Sequence, residues 1–374
     1  MSIDLSRIPT PCYVCEEELL QKNLDLLGRV QRESGAKVLL ALKGYAMWST
    51  FGLIRKALHG TAASGLFEAR LGREEMDREV HTFSPAYVES EIDEIAAISN
   101  HMVFNSFSQW KRFRHRVGKV SCGIRINPEY SEIETEIYNP CAKYSRLGVT
   151  LNNFEEGELE GIEGLHFHTH CEQGADVLER SLAVVEEKFG RFFSSMKWVN
   201  FGGGHHITRA GYDVDKLIRL VKNFSEKYGV QVYIEPGEAI GWRVGPLVAS
   251  VVDIVSNDMV TAILDVSISN HMPDCLEMPY RPAVRGAGEA GEFPNSYRFG
   301  GPTCLAGDFI GDFSFPEPLK VGDKVVFEDM IHYTFVKATT FNGIKLPSLG
   351  IWTKEGEFKL VKEFAYEDYK GRLS

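Results

Sequence analysis

From about residue 15 to residue 240, short apolar runs alternate with amphipathic stretches, and this alternation predicts strands and helices in turn. The β-rich runs are 37–42 (KVLLAL), 61–64, 80–84 (VHTFS), 101–105 (HMVFN), 121–126 (SCGIRI), 164–168 (GLHFH), 197–201 (KWVNF) and 231–235 (QVYIE). Helical patterns fill 16–31, 66–77, 89–98, 106–116, 176–193 and 212–228; in the first, Leu19, Leu20, Leu24, Leu27 and Val30 recur at helical spacing. Eight strands with intervening helices predict an α/β fold built on a (β/α)8 barrel, whose active-site groups gather at the C-terminal strand ends.

Beyond residue 240 the texture changes. Strand-like runs such as GPLVASVVDIV, MVTAILDV and DKVVFE are separated by Gly- and Pro-rich loops, notably at 279–303, which predicts a mostly β second domain. The expected division is a barrel over 14–240 and a β domain over 241–374 joined by residues 1–13. The excursion at 127–160 is long for a barrel loop and is a candidate lid or interface element. There is no internal repeat or low-complexity tract.

A chain of 374 residues suits two such domains, and 44% hydrophobic with 25% charged residues is ordinary globular composition. No apolar run reaches the ~18 residues of a membrane span, and MSIDLSRIPTP lacks a signal-peptide core. A net charge of −11 argues against a nucleic-acid partner and suits a cationic small molecule. Seven scattered cysteines do not form a disulfide framework, and CYVC at 12–15, in a strand-like stretch, reads as structural; a cytoplasmic location is expected.

Lys43 ends the apolar run KVLLALK. Desolvation there would lower its pKa and supply the neutral amine that Schiff-base chemistry needs, although a strand-end lysine also serves as a surface residue with its stem along apolar neighbours. Gly202, Gly203 and Gly204 follow the seventh run, where barrel enzymes frequently bind phosphate; alone, they also fit a tight turn. Glu235 ends the eighth run and could hold a pyridine nitrogen protonated. His168 could lie flat against a ring. A rival reading takes His166, His168 and His170 as alternating on one strand face and, with Lys43, His205 and Asp265, as a metal-dependent hydrolase site. It leaves the triple glycine and the EPG turn without a purpose. Cys304, in GGPTCLAGDFIGD, could donate a proton, with Asp308 and Asp312 nearby, or be a small buried hydrophobe.

Taken in order, ALKGYA, FHTH, NFGGG, EPGE, GPTC and YTFVKATTFNG resemble the fold-type III pyridoxal-phosphate (PLP) decarboxylases, which share an alanine-racemase-like barrel. The family includes the ornithine/arginine and diaminopimelate decarboxylases, and the likeness runs from TPCYV at 10–14 to TTFNG at 339–343. It implies that Lys43 carries the cofactor, that His168 stacks on its ring and that Gly202–Gly204 and Tyr333 meet its phosphate. Glu235 would pair with the pyridine nitrogen, Glu68 would support His168 or the ring, and Cys304 would enter a partner subunit's site in a homodimer to protonate the substrate carbon. Where ornithine and diaminopimelate decarboxylases read EPGR, this chain reads EPGE, and where the latter reads CESGD it reads CLAGD. EPGEAIGW with GPTCLAGD is most similar to the branch acting on carboxynorspermidine and carboxyspermidine. Exchanging a fixed cation for Glu238 suits a substrate with extra ammonium groups, and Glu238, Asp274 and Asp308 are the expected acceptors. Decarboxylation of diaminopimelate or ornithine, and a non-enzymatic PLP-binding regulator, are the alternatives within the fold.

Overall fold

The computed structural model describes residues 3–374 and divides the chain into two compact units, one of Asn23–Ile240 and one that combines residues up to Lys22 with Gly241–Ser374. The first strand, β1 (Cys12–Glu16), belongs to the second unit. In the other unit β2 (Lys37–Ala41), β3 (Gly60–Ala63), β4 (Glu79–Ser84), β5 (His101–Phe104), β6 (Ser121–Arg125), β7 (Ile162–His166), β8 (Trp198–Asn200) and β9 (Gln231–Ile234) are all parallel and close into a barrel. Each expected strand is present.

The barrel interior is filled by complementary sizes. Leu39, Ala41, Ala62, Val103, Trp198 and Tyr233 form one buried cluster. A Cβ at Gly123 or Gly164 would fall 2.4 or 2.1 Å from the Trp198 ring, so those two glycines make the space the indole occupies. The long outer helices Glu17–Ser34, Ala175–Phe193 and Val214–Tyr228 lay apolar stripes on the strands. Leu20, Leu24, Leu27 and Val30 are buried as expected, whereas Leu19 is 37% exposed and lies off the stripe.

The expected helix at 66–77 is an α-helix only over Leu66–Leu71 and continues as a π-helical turn, Gly72–Met76. Gly72 abuts Thr61, where a Cβ would meet Oγ1 at 2.3 Å. The 127–160 excursion carries the 3-10 turns Glu136–Tyr138, Leu151–Asn153 and Glu156–Glu158 and a parallel bridge from Val149 to Ile126.

The second unit is a sheet of β10 (Leu247–Asn257), β11 (Met259–Leu264), β12 (Asn295–Gly300), β13 (Phe309–Phe315), β14 (Lys324–Phe327), β15 (Ser348–Trp352) and β16 (Phe358–Lys362) together with β1. Its order is β13-β12-β11-β10-β1-β15-β16, with β14 also paired to β10. Phe299, Phe313 and Phe327 anchor its core. Cys12 and Cys15 are buried in β1, in keeping with a packing role, and all seven cysteines are free. Among the described residues no helix is long and apolar enough to cross a membrane.

Candidate active site

The expected residues of the barrel unit sit just past strand ends. Lys43 lies two residues beyond β2, His168 two beyond β7, Gly202 two beyond β8 and Glu235 one beyond β9. The run GLHFH therefore stops being strand at His166, and His168 belongs to the loop that follows.

Lys43 is exposed, yet protein surrounds it closely enough that burial, followed by the positive charge of Arg125, lowers its pKa. Glu235, Cys171 and Glu68 act in the opposite sense. Its exposure moderates the shift without reversing it. Glu68 accepts the Ser64 N–H at 2.6 Å, and burial raises its pKa.

Burial likewise raises the pKa of Glu235, against the Asn200 hydrogen bond and the charges of Lys43 and Arg125. Asn200 Nδ2 donates to Glu235 Oε1 at 2.7 Å, and His166 Nε2 lies 3.8 Å from Oε2. His166 is buried, and neither of its ring nitrogens has a hydrogen-bond partner. Arg125 stacks over the Phe83 ring at 4.7 Å, and burial pulls its pKa down to about 10.

His168 is held by the glycine turn itself. Its Nδ1 accepts the Gly203 N–H at 3.0 Å, which places the proton of the neutral ring on Nε2. Burial, then the charges of Lys43 and Arg125, keep it neutral. Gly202 (φ +71) and Gly204 (φ +80) occupy the left-handed region, and a Cβ at Gly203 would stand 2.4 Å from the Glu235 carbonyl. Gly202 donates its N–H to Asn200 Oδ1 at 2.8 Å and Gly203 donates to His168 Nδ1. These two bonds set the shape of the cradle, and the Gly204 N–H takes part in neither.

The arrangement fits PLP. It combines an amine of lowered pKa, a neutral imidazole fixed edge-on to the turn, a buried carboxylate with a donor holding one oxygen, and a turn whose Cβ positions are blocked. Of the residues weighed for a metal hydrolase, His170 faces His205 at 3.3 Å between Nδ1 atoms, and Asp265, in the second unit, accepts the Ser250 N–H at 2.8 Å.

Within the second unit the expected acids already have partners. Asp308 is buried; Oδ1 accepts the Ser267 hydroxyl and the Ile268 N–H at 2.9 Å, and Oδ2 accepts the Thr303 hydroxyl at 2.7 Å. These bonds join two loops. Asp274 already holds the Lys337 ammonium at 2.6 Å. Asp312 is in a two-bond pair with Arg298, at 2.7 and 2.9 Å. Cys304 is exposed rather than buried, its N–H donating to Asn342 Oδ1 at 2.8 Å. Tyr333 caps the short helix Thr334–Lys337 and is half-buried. In the barrel unit Glu238 opens the helix Glu238–Gly241, with His206 Nε2 3.7 Å from its carboxylate.

Sequence reasoning overlooked Arg125 and Asn200 and weighed His166 only as a metal ligand. Arg125 carried the same signal as Lys43, a cation closing an apolar strand; Asn200 is the residue before FGGG.

The family described as pyridoxal-dependent decarboxylase, C-terminal sheet domain, matches residues 12–331. The carboxynorspermidine/carboxyspermidine decarboxylase of Campylobacter jejuni is 52% identical, covering 98% of this chain and 99% of its own. The carboxyaminopropylagmatine decarboxylase of a Synechocystis species is 46% identical, covering 99% and 96%. The crystal structure of the C. jejuni carboxynorspermidine decarboxylase complexed with norspermidine superposes with a TM-score of 0.93 at 51% identity, over 98% of this chain and 100% of that one. Match, fold and site agree, and the chain belongs to the pyridoxal-dependent decarboxylase family.

Proposed function

We propose that this enzyme releases the α-carboxylate of carboxynorspermidine and/or carboxyspermidine as CO2, leaving norspermidine or spermidine. The observation that carries the substrate class is Glu238, an acid three residues beyond Glu235, where other family members place an arginine. Its carboxylate favours a distal ammonium and disfavours a distal acid. The likeness to the C. jejuni enzyme supports the same reading.

PLP, when bound, supplies the electron sink that makes loss of CO2 possible. Lys43 holds the cofactor through its amine, whose lowered pKa keeps a larger fraction neutral and nucleophilic. Glu235, fixed by Asn200, keeps a proton at the ring nitrogen. His168 offers its ring face and cannot swing away while Gly203 holds Nδ1. Arg125, beside Lys43 and Glu235, adds fixed positive charge at the substrate's carboxylate end. Cys304 supplies the returning proton from a partner subunit in a homodimer. It is exposed, and Leu305, Phe309 and Phe341 around it are 46%, 45% and 51% exposed, an apolar rim suited to being covered. Tyr333 reaches the phosphate in the same assembly. Seven free thiols suit a reducing, cytoplasmic setting.

A second reading comes from the Synechocystis relative: a guanidinium could pair two-pronged with Glu238. The test is CO2 release by PLP-loaded protein from carboxynorspermidine, carboxyspermidine, carboxyaminopropylagmatine, meso-diaminopimelate and L-ornithine, with Lys43→Ala as blank. Dominance of the two carboxylated triamines upholds the proposal. Preference for the guanidino compound selects the second reading, preference for diaminopimelate or ornithine defeats the charge argument, and silence on all five points to a regulator.

A further inference from the structure

The opposite end of the barrel carries a cluster that the decarboxylation chemistry does not use. Lys37, Glu79 and His101 are the first residues of β2, β4 and β5, and His59 immediately precedes β3, so all four stand at the N-terminal mouth. Glu79 is the hub. Its Oε2 lies 3.1 Å from His81 Nε2; its Oε1 lies 2.8 Å from His59 Nε2, poorly aligned for a hydrogen bond, and 3.0 Å from the Lys37 ammonium. His101 stacks on His81 with ring centres 3.9 Å apart, and Nδ1 of each is buried with no hydrogen-bond partner. One ring nitrogen from each of these two histidines and a Glu79 oxygen all lie within 4.8 Å of one another. Tyr233 and Trp198 form an aromatic floor, at 5.2 and 4.9 Å from His101.

We propose that Glu79, His81 and His101, with His59 as a fourth donor, form a structural site for a zinc-class divalent cation that ties three neighbouring strands together at the barrel's N-terminal mouth. Two imidazoles and a carboxylate are donors of the type Zn2+ takes, and four donors satisfy its tetrahedral preference. When the ion takes His81 Nε2, the ring proton moves to the partnerless Nδ1, so no net proton is released. The His81–His101 stack must tilt for both lone pairs to converge.

Lys37 sets the strength of the site. Its ammonium already neutralises Glu79, and an ion beside it would be repelled. The side chain is 29% exposed and able to swing into water, so the metal and the ammonium compete for one carboxylate. This competition separates the proposal from a plain structural ion-pair cluster, because it predicts that one substitution tightens binding.

The experiment uses tag-free, PLP-loaded protein stripped with a chelator and titrated with Zn2+ against a chromophoric competitor. Wild type should bind one ion per chain. Glu79→Gln and His101→Gln should each weaken that binding at least about tenfold. Lys37→Met should strengthen it about tenfold while leaving the decarboxylation rate unchanged. Zn2+ should raise the melting temperature of wild type and not of Glu79→Gln. Uptake that is equal in wild type and Glu79→Gln would overturn the proposal, as would weaker binding by a folded, active Lys37→Met. An ion with sulfur in its X-ray absorption shell would do the same, since it would then sit on cysteines.

Discussion

Asn200 joins Glu235 to the glycine turn: its Nδ2 donates to Glu235 Oε1 at 2.7 Å while its Oδ1 accepts the Gly202 N–H at 2.8 Å. Asn200→Asp removes the donor and puts a second negative charge beside a carboxyl that burial already raises. Glu235 would then ionise at higher pH. We expect kcat to fall about 10- to 100-fold and the acid limb of the pH–rate profile to move upward. A profile of unchanged shape with only a lower plateau would refute the link.

Lys43 gives a stability prediction of definite sign. Its folded pKa lies below its ordinary 10.5, so the unfolded chain binds the proton more readily and burial of the charged amine destabilises the apo protein at low pH. That cost is fully present below the folded pKa and fades as pH rises toward 10.5. Apo Lys43→Met should therefore melt above wild type at neutral pH, with the gap closing in alkali. The check is paired thermal melts across that range; a gap independent of pH would show packing alone at work.

Gly203 contrasts with Gly211. A Cβ at Gly203 would press within 2.4 Å of the Glu235 carbonyl, whereas at Gly211 nothing lies nearby and only the φ of +85 resists. Gly203→Ala should displace the turn, loosen PLP binding by about tenfold or more, and cost about 1–3 kcal/mol of stability. Gly211→Ala should cost roughly 1–2 kcal/mol with PLP affinity unchanged. Equilibrium PLP titration with parallel melts distinguishes them.

Asp308 and Glu238 part company in kinetics. Asp308→Asn removes a charged acceptor from the Ile268 N–H and the Ser267 and Thr303 hydroxyls, and should cost about 1–3 kcal/mol with KM little changed. Glu238→Gln should raise KM for a carboxylated triamine about tenfold, with kcat largely kept and the melting temperature near wild type. A KM effect confined to Asp308→Asn would reverse both assignments.

The barrel was legible because its signals are local. Eight apolar runs and the helices between them follow from a period that each segment carries by itself, and the family motifs bring the cofactor residues with them. Lys43, His168 and Glu235 could be named because strand ends in this architecture converge whatever the loops do. The networks behind them could not. Asn200 reaches Glu235 across 35 positions of sequence, and Glu79 meets Lys37 across 42. Nor does local pattern say that Asp274 meets a lysine or that Asp308 meets two hydroxyls.

The sequence by itself determined the order of elements, the family and the type of chemistry, because periodicity and short motifs are properties of neighbouring residues. Only the tertiary structure decided which N–H groups of the glycine turn are already engaged, which acids are already paired, and that three histidines and a glutamate meet at the far mouth of the barrel. Those outcomes depend on distances between segments remote in sequence, which the closing of the parallel strands into a ring sets.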